Sequence, residues 1–277
     1  MLGHEAVRVL AHDFEVWGAC RNPGELPDLG VPPERILGGL DATNAESAHQ
    51  LIAWVRPDIV LNAAGIVKQR AEAHDAVAAI SVNSLWPHVL AEACAHHGAR
   101  MIQVSTDCVF SGARGMYVES DVPDDFELYG RSKLLGEVID RDNVFTLRTS
   151  IIGWQLGQPT GLLGWFAAHR REQLSGFTRA VFSGMTTRAL TEMLRDVVLP
   201  DETLSGLWHV SAEPIDKHTL LSGLARHLGW RIDLRPVDEP AIDRSLDSGR
   251  FRERTGWHPQ AWDKMLEGLA REVPAIS

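Results

Sequence analysis

The sequence predicts an α/β fold in which a doubly wound parallel sheet is followed by a smaller C-terminal part. In the first half of the chain, apolar strand-like runs alternate with helical segments. The runs are nearly continuous in apolar residues, as strands covered on both faces are. After Gly153 the pattern changes, because Gly and Trp become frequent. We therefore expect one domain over residues 1–153 and a second region over residues 154–277.

The strands of the predicted sheet are short apolar runs that end in small or hydroxyl-bearing residues. The run at residues 57–64 ends in Asn62-Ala63-Ala64, and the run at residues 100–105 ends in Ser105. Ligands of parallel sheets bind at the carboxyl ends of the strands, so these two ends should line one crevice. The other strands are predicted at residues 15–19, 144–148 and 207–210.

Segments with helical periodicity separate these strands. The clearest one covers residues 75–97, where apolar residues recur at helical spacing before Gly98, a residue suited to end a helix. Tyr129 and Lys133 lie on a helix that is predicted to continue to Asp140. Further helices are predicted at residues 5–10, 45–55, 186–199, 217–228 and 250–256.

Composition and charge narrow the class of protein. The chain has 277 residues, a net charge of −10, and three cysteines without a Cys-x-x-Cys pair. The acidic balance argues against a nucleic-acid binder, and the cysteines fit free thiols in a reducing cytosol. No apolar run reaches the ~20 residues that span a bilayer, and charged residues come too early for a signal peptide. We therefore predict a cytoplasmic protein that does not bind a membrane.

The strongest chemical motif consists of Thr106, Tyr129 and Lys133. Tyr129 and Lys133 are four residues apart, so they share one face of a helix. An ammonium beside a phenol favours the phenolate, so we predict that Lys133 lowers the pKa of Tyr129 toward neutral pH. With two Tyr and four Lys in the chain, a chance Tyr-x-x-x-Lys match is expected about 0.03 times. The set therefore indicates a device that delivers a proton.

The start of the chain lacks a motif that a dinucleotide-binding sheet carries. Such a sheet opens with a strand and a Gly-rich turn, which brings a helix N-terminus to the pyrophosphate. Here Met1-Leu2-Gly3 comes just before the first predicted helix and looks like the end of such a turn. We expect that the first strand and most of the turn are absent, because the chain was cut, its start was assigned late, or the element was lost. The sheet should then show two unpaired edges.

Together these motifs resemble the extended short-chain dehydrogenase/reductases, in the branch of dTDP-4-dehydrorhamnose reductases and related nucleotide-sugar reductases. The resemblance covers nearly the whole chain. Its most specific part is the Ser-Thr-Asp-x-Val-Phe run at residues 105–110 together with Tyr-Gly-x-Ser-Lys at residues 129–133. It implies a Rossmann-like dinucleotide-binding domain followed by a substrate-binding region. Other matching segments are residues 57–64, 82–83, 117–119 and 147–150.

The resemblance also implies a role for each site residue. Tyr129 would be the general acid for a keto oxygen, and Thr106 would hydrogen-bond the same oxygen. Lys133 would hold the nicotinamide ribose and tune Tyr129. The cofactor would contact Leu2, Gly3, Arg21, Asp41, Ala63, Ala64, Gly65, Tyr129 and Lys133, and the substrate would contact Thr106, Asp107, Cys108 and Trp154.

The implied activity is NADPH-dependent reduction of a nucleotide-linked 4-keto-6-deoxy sugar in cell-surface carbohydrate biosynthesis. In the related 4,6-dehydratases a Glu follows the Thr-Asp pair, and Cys108 stands at that position here, so dehydration is disfavoured. Epimerisation of a nucleotide sugar is the alternative. A non-catalytic NADP-binding regulatory subunit is a second hypothesis, suggested by the incomplete cofactor turn. The implied partner is a nucleotide sugar, and a homodimer is allowed.

The choice of cofactor depends on the residues after the strand at 15–19. An acidic residue there would bind the ribose 2′-OH of NAD, whereas an Arg nearby accommodates the 2′-phosphate of NADP. The chain has Ala19-Cys20-Arg21-Asn22 at this point, so Arg21 predicts NADP, with NAD as the alternative. The sequence has no His-Glu-x-x-His motif and no carboxylate cluster, so no metal site is predicted.

Overall fold

The computed structural model describes residues 1–24, 26–68, 74–156 and 161–273. Its main sheet consists of β3 (Ile59–Asn62), β4 (Arg100–Val104), β5 (Val144–Arg148) and β10 (Gly206–His209). All four strands are parallel, and they lie in the order β10-β5-β4-β3. The predicted parallel sheet is therefore confirmed, and a strand from the second half of the chain completes it.

A separate parallel pair is formed by β1 (Gly18–Ala19) and β2 (Ile36–Leu37). Over the described ranges, β1 pairs only with β2, and β3 pairs only with β4. Each of these two strands therefore has one unpaired edge, as the sequence predicts. Helix α1 (Leu2–Leu10) packs against β1 and against α7 (Thr187–Met193).

Helices cover both faces of the main sheet. Successive strand residues point to opposite faces, and neighbouring residues of β4 pack into two different cores. Met101 belongs to a buried core that includes residues of α2 (Ala45–Val55) and α4 (Trp86–His96). Its neighbour Ile102 belongs to a second core that includes residues of α7. The sheet is thus doubly wound, and its apolar strands are explained by burial on both faces.

The structure divides the helix predicted at residues 75–97 into three parts. Helix α3 (Ala76–Ala79) is followed by a π-helical turn, Ile80–Leu85, which leads into α4. Pro87 explains the irregular turn, because proline has no N–H to donate to the Asn83 carbonyl four residues earlier. The hydrophobic periodicity of residues 75–97 did not reveal this turn. A single π-helical turn adds only one residue to the helical repeat, so the spacing of the apolar residues still resembles that of one continuous helix.

Helix α5 (Leu128–Leu135) ends earlier than the predicted Asp140. It ends at Gly136, where the chain passes closely over the π-helical turn. A Cβ atom at Gly136 would lie 1.9 Å from the Asn83 carbonyl oxygen. The contact between these two backbones therefore requires glycine.

Two helix ends were predicted correctly. Gly98 follows α4 with φ +74°, and Gly256 follows α9 (Gly249–Thr255) with φ +69°. In this left-handed conformation glycine has no steric penalty, which confirms both residues as the positions where the helices stop.

The second half of the chain contributes small sheets and a core of its own. This core includes Trp154 and Phe166 and is surrounded by α6 (Leu162–Ala168), α8 (Lys217–Leu228) and α10 (Trp262–Arg271). Three small sheets complete it: β6 (Ile151–Ile152) with β9 (Met185–Thr186), β7 (Gln173–Phe177) with β12 (Asp233–Val237), and β8 (Ala180–Phe182) between β11 (Ile215–Asp216) and β13 (Ile242–Asp243). The division at residues 153/154 stays a prediction, and β10 crosses it into the main sheet.

Within the described ranges, the helices are too short or too polar to cross a lipid bilayer.

Candidate active site

Strand β4 leads into a tight turn that presents Thr106. Thr106 caps a single 3₁₀ turn, Asp107–Val109, and its Oγ1 accepts a hydrogen bond from the Cys108 N–H at 3.1 Å. The hydroxyl also donates to Asp107 Oδ1 at 3.1 Å. The Asp107 N–H donates to the Thr149 carbonyl oxygen at 3.2 Å, which ties the turn to the segment after β5. The turn thus holds the buried Thr106 hydroxyl at the carboxyl end of the sheet.

Helix α5 carries Tyr129 close to this hydroxyl, and the Thr106 side chain acts to lower the pKa of the phenol. Burial raises the pKa of Tyr129, and the neighbouring Cys108 and Asp107 act in the same direction. The predicted shift of the Tyr129 pKa toward neutral pH is therefore wrong, because burial disfavours the phenolate more strongly than any neighbour favours it. A phenol that keeps its proton at neutral pH can act as a general acid.

Lys133 lies one helical turn beyond Tyr129 and is buried. Its Nζ donates to the Val104 carbonyl oxygen at 2.7 Å, so the ammonium is held on the main chain of β4. Burial lowers the pKa of Lys133 to about 8, while the charge of Glu137 acts to raise it. Lys133 is therefore mostly charged at neutral pH.

Two residues of the π-helical turn position α5. Ser84 was not predicted from the sequence, which left Asn83 open between a structural role in the helix and a role in organising the site. Asn83 Nδ2 donates to Ser132 Oγ at 3.2 Å, and Ser84 Oγ donates to the Ser132 carbonyl oxygen at 2.8 Å. Asn83 also exchanges two hydrogen bonds with the backbone of Ile66, at 2.8 and 3.0 Å. It thereby ties the loop after β3 to the helix of Tyr129. In the sequence, Asn83 was marked only as part of the Val82-Asn83 segment that matches the resembled family.

The loop after β3 and the start of α1 lie side by side. A Cβ atom at Gly3 would lie 3.6 Å from the Cβ of Ala63. Ala63 and Gly65 are exposed, whereas Ala64 packs against the core. The small residues would let a flat ligand approach the end of β3, and the side chain of Leu2 is buried in the core, which leaves only its backbone for such a ligand.

Arg21 and Asp41 come together beyond the ends of β1 and β2, and both are exposed. The Gly39 N–H donates to the Arg21 carbonyl oxygen at 3.1 Å. Hydrogen bonds from the Thr43 hydroxyl (2.6 Å) and N–H (2.9 Å) lower the pKa of Asp41, and the charge of Arg21 acts in the same direction. Arg21 and Asp41, both predicted to contact the cofactor, thus lie close to each other.

The other side of Thr106 is lined by Asp107, Cys108 and a lysine from the second half of the chain. Lys217 begins α8, and its Nζ lies 3.6 Å from the centre of the Phe182 ring. Its charge acts on both Asp107 and Cys108. Burial raises the pKa of Cys108 to about 12, so the thiol stays protonated at neutral pH. From the sequence, Lys217 was one of several charges in the second half with a possible binding role, because no spacing rule joins residues more than a hundred positions apart.

Trp154 does not line this site. Its side chain is 8% exposed and lies in the core of the second half. The indole N–H donates to the Leu269 carbonyl oxygen at 2.9 Å. The prediction of a sugar-stacking Trp154 is therefore corrected: the residue follows a strand end, but its ring turns toward α10.

Over residues 1–24, 26–68, 74–156 and 161–273, the His, Cys, Asp and Glu side chains form no group of three that could hold a metal ion.

A parallel sheet with Thr106, Tyr129 and Lys133 gathered at its carboxyl end is the arrangement of a Rossmann-type dehydrogenase/reductase. The chain belongs to the RmlD substrate binding domain family, whose model matches residues 1–269.

Two relatives extend over most of the chain. A dTDP-4-dehydrorhamnose reductase of Aggregatibacter actinomycetemcomitans is 28% identical over 263 residues, which cover 83% of this chain and 86% of that protein. A probable low-salt glycan biosynthesis reductase of Haloferax volcanii is 30% identical over 221 residues, covering 77% and 72%.

Solved structures share the fold across several activities. A dTDP-4-dehydrorhamnose reductase of Bacillus anthracis in complex with NADP has a TM-score of 0.75 at 21% identity, and 88% of this chain and 92% of that one are covered. A UDP-glucose 4-epimerase of Thermus thermophilus with NAD has a TM-score of 0.76 at 18% identity, with 98% and 95% covered. At these identities the likeness establishes the fold alone.

Proposed function

We propose that the protein is an NADPH-dependent reductase of a nucleotide-linked 4-keto-6-deoxy sugar, of the dTDP-4-dehydrorhamnose reductase type. The observation that carries this proposal is the meeting of Thr106, Tyr129 and Lys133 at one strand end, with the phenol kept protonated. The two relatives that span most of the chain are both named as reductases, which supports the same reaction class.

The residues around Gly3 fit a dinucleotide cofactor. A side chain at Gly3 would approach Ala63, so small residues here leave room for a flat group beside the sheet. The exposed Arg21 lies where a ribose 2′-phosphate would be recognised, and the reductase of Bacillus anthracis binds NADP. When bound, NADPH supplies a hydride to the carbonyl carbon of the sugar.

The protein's own groups handle the proton and the oxygen. Tyr129 donates its proton to the carbonyl oxygen as that oxygen becomes a hydroxyl. Thr106, whose side chain acts on the same phenol, orients the same oxygen. Lys133 supplies a positive charge on the Val104 side of the phenol, which stabilises the phenolate left after proton transfer.

The site argues against the related dehydration. Removing water from a sugar needs a group that can give and take a proton at neutral pH. The residue after Asp107 is Cys108, whose pKa is raised to about 12, so its thiol is poorly suited to that task. Epimerisation has only the shared fold in its favour.

The proposal is tested by following NADPH consumption with the purified full chain and dTDP-4-keto-6-deoxy sugars. We expect turnover with a dTDP-linked 4-keto sugar and formation of the corresponding alcohol. A change of sugar configuration without net NADPH consumption would show an epimerase. NADPH binding without turnover on any keto sugar, together with a stable partner in a pull-down, would show a regulatory subunit.

Replacing Arg21 by Ala is expected to weaken NADPH binding about 10–100-fold and to leave NADH binding nearly unchanged. Loss of a hydrogen-bonded charge pair with the 2′-phosphate costs about 1.5–3 kcal/mol, and NADH has no 2′-phosphate. Fluorescence titration of both cofactors measures the effect. Arg271→Ala, which removes an exposed Arg on α10 that pairs with Glu267, is the control. Equal loss of both cofactors in Arg21→Ala would contradict the assigned role.

Homodimerisation and a cytoplasmic location stay predictions. Apolar side chains exposed on α3, α5 and the intervening turn offer a surface for a second copy: Val77, Ile80, Leu85 and Leu135.

A further inference from the structure

A chain of buried polar groups begins directly behind the Thr106 turn. Ser105 Oγ donates to Glu137 Oε1 at 2.6 Å. Arg148 donates to both oxygens of the same carboxylate, from Nε to Oε1 and from Nη2 to Oε2, each at 2.8 Å. The side chains of Glu137 and Arg148 are each 4% exposed. The carboxylate is therefore both paired and hydrogen-bonded, as a buried charge must be.

The series of buried polar groups continues across the sheet to His209 on β10. Burial lowers the pKa of His209 to about 4, so the imidazole is neutral. Its Nδ1 lies 2.9 Å from the Tyr117 carbonyl oxygen and therefore carries the proton. Its Nε2 is then free to accept from Arg148 Nη1, 3.4 Å away. With the Phe110 ring 5.2 Å from the guanidinium, Arg148 is held in one orientation, and it holds Glu137 in turn.

Glu137 follows the end of α5, four residues after Lys133. The two side chains are held by consecutive residues of one strand end, because Ser105 donates to the Glu137 carboxylate and the Lys133 ammonium donates to the Val104 carbonyl oxygen. We propose that Glu137 is a positioning residue of the site: its buried carboxylate, fixed by Arg148 and Ser105, keeps the Lys133 ammonium charged and aligned beside Tyr129. The catalytic meaning of this inference rests on the proposed function, whereas the charge of Lys133 can be measured without it.

The two effects on Lys133 oppose each other. Burial lowers the pKa of Lys133, and Glu137 raises it, so that the group ionises at about 8. Without the carboxylate, burial would act alone, and Lys133 would lose its proton at a lower pH. A neutral Lys133 cannot stabilise a phenolate at Tyr129.

Few other ionisable groups surround Lys133. The π-helical turn Ile80–Leu85, which packs on α5, carries none. Glu137 is the group whose charge acts on Lys133. The other ionisable groups on α5 and on these neighbouring elements are Tyr129 and Arg131 on α5, Asp107 and Cys108 on the 3₁₀ turn, His88, Glu92, Cys94 and His96 on α4, and Arg148 on β5.

The inference is tested by titrating Lys133 directly by NMR in the full chain labelled with ¹³C-lysine. The chain has only four lysines, Lys68, Lys133, Lys217 and Lys264, so a Lys133→Arg variant assigns the signal. In Glu137→Gln we expect the charged fraction of Lys133 at pH 8 to fall about fivefold, since a nearby opposite charge strongly favours the charged form. An unchanged titration would overturn the proposal.

Two further variants separate electrostatics from folding. Glu137→Gln leaves Arg148 without its partner, so Glu137→Gln/Arg148→Met removes both charges and avoids a buried unpaired guanidinium. The Lys133 titration should stay displaced to lower pH in this double variant, and its return to the wild-type titration would show that Glu137 serves only the fold. Glu119→Gln removes a carboxylate at the His209 end of this series of polar groups, where it accepts a hydrogen bond from the His209 N–H. This variant should leave the titration of Lys133 unchanged.

Reductase assays on the same variants connect the charge to turnover. In the wild type, kcat should fall as pH rises through about 8, and in Glu137→Gln this fall should begin at lower pH. A displaced Lys133 titration without a displaced kcat profile would overturn the positioning role. If the wild type shows no turnover, the proposed function fails, and the titration still decides whether Glu137 controls Lys133.

Discussion

Replacing Tyr129 by Phe is expected to lower kcat for keto-sugar reduction by about 10²–10⁴-fold, the range that a general acid contributes. The substitution removes the phenolic hydroxyl that is proposed to deliver the proton. The phenylalanine ring keeps the shape of the side chain, so Lys133 and the small residues around Gly3 stay in place. NADPH binding should therefore change little. Single-turnover NADPH oxidation and fluorescence titration of NADPH measure the two effects separately.

The other tyrosine of the chain offers a matched control for this experiment. Tyr117 is stacked on Phe110, with ring centres 4.1 Å apart, and its hydroxyl accepts a hydrogen bond from the Arg114 N–H at 3.2 Å. Tyr117→Phe removes the same atom from a phenol outside the reacting set, so kcat should stay within a few-fold of the wild type. Full turnover in Tyr129→Phe would falsify the assignment of the acid.

Replacing Gly136 by Ala is expected to lower the free energy of unfolding by about 3 kcal/mol, the upper part of the range for overpacking. The added Cβ would lie 1.9 Å from the Asn83 carbonyl oxygen and 3.1 Å from Pro87 Cγ. The first of these atoms belongs to a backbone, so it cannot rotate away. Because Asn83 also holds Ile66 and Ser132, a displaced π-helical turn should reduce reductase activity as well. Urea unfolding measures the loss of stability.

Gly268 on α10 is the control for this substitution. A Cβ atom there meets nothing within 4 Å, and alanine is a better helix former than glycine. Gly268→Ala should therefore be about 0.5–1 kcal/mol more stable than the wild type. If Gly136→Ala unfolds at the same urea concentration as Gly268→Ala, the close packing of α5 on the π-helical turn is refuted.

Much of the fold could be predicted because its signals are local. Apolar runs covered on both faces predict parallel strands, and glycines after periodic segments predict helix ends, as at Gly98 and Gly256. The π-helical turn could not be predicted in this way, because a proline such as Pro87 can equally kink or end a helix. The turn packs closely under Gly136 at Asn83, and these two residues are more than fifty positions apart in the sequence.

In the candidate site, too, the local features could be predicted and those that depend on packing could not. The spacing of Tyr129 and Lys133 places both on one helix face whatever surrounds them. The pKa of Tyr129 depends on how deeply the phenol is buried, and burial is a property of the assembled fold. Trp154 shows the same limit, because its position after a strand is local, but the direction of its ring was decided by α10.

The sequence by itself determined the doubly wound sheet, the helix that carries Tyr129 and Lys133, and the strand end that carries Thr106. These follow from periodicity and spacing, which act between neighbours in the chain. Only the tertiary structure decided that Lys133 donates to the Val104 carbonyl oxygen, and that the carboxylate of Glu137 accepts a hydrogen bond from Ser105. That carboxylate is fixed by Arg148 from another strand, and such contacts are set by the segments that meet in the fold.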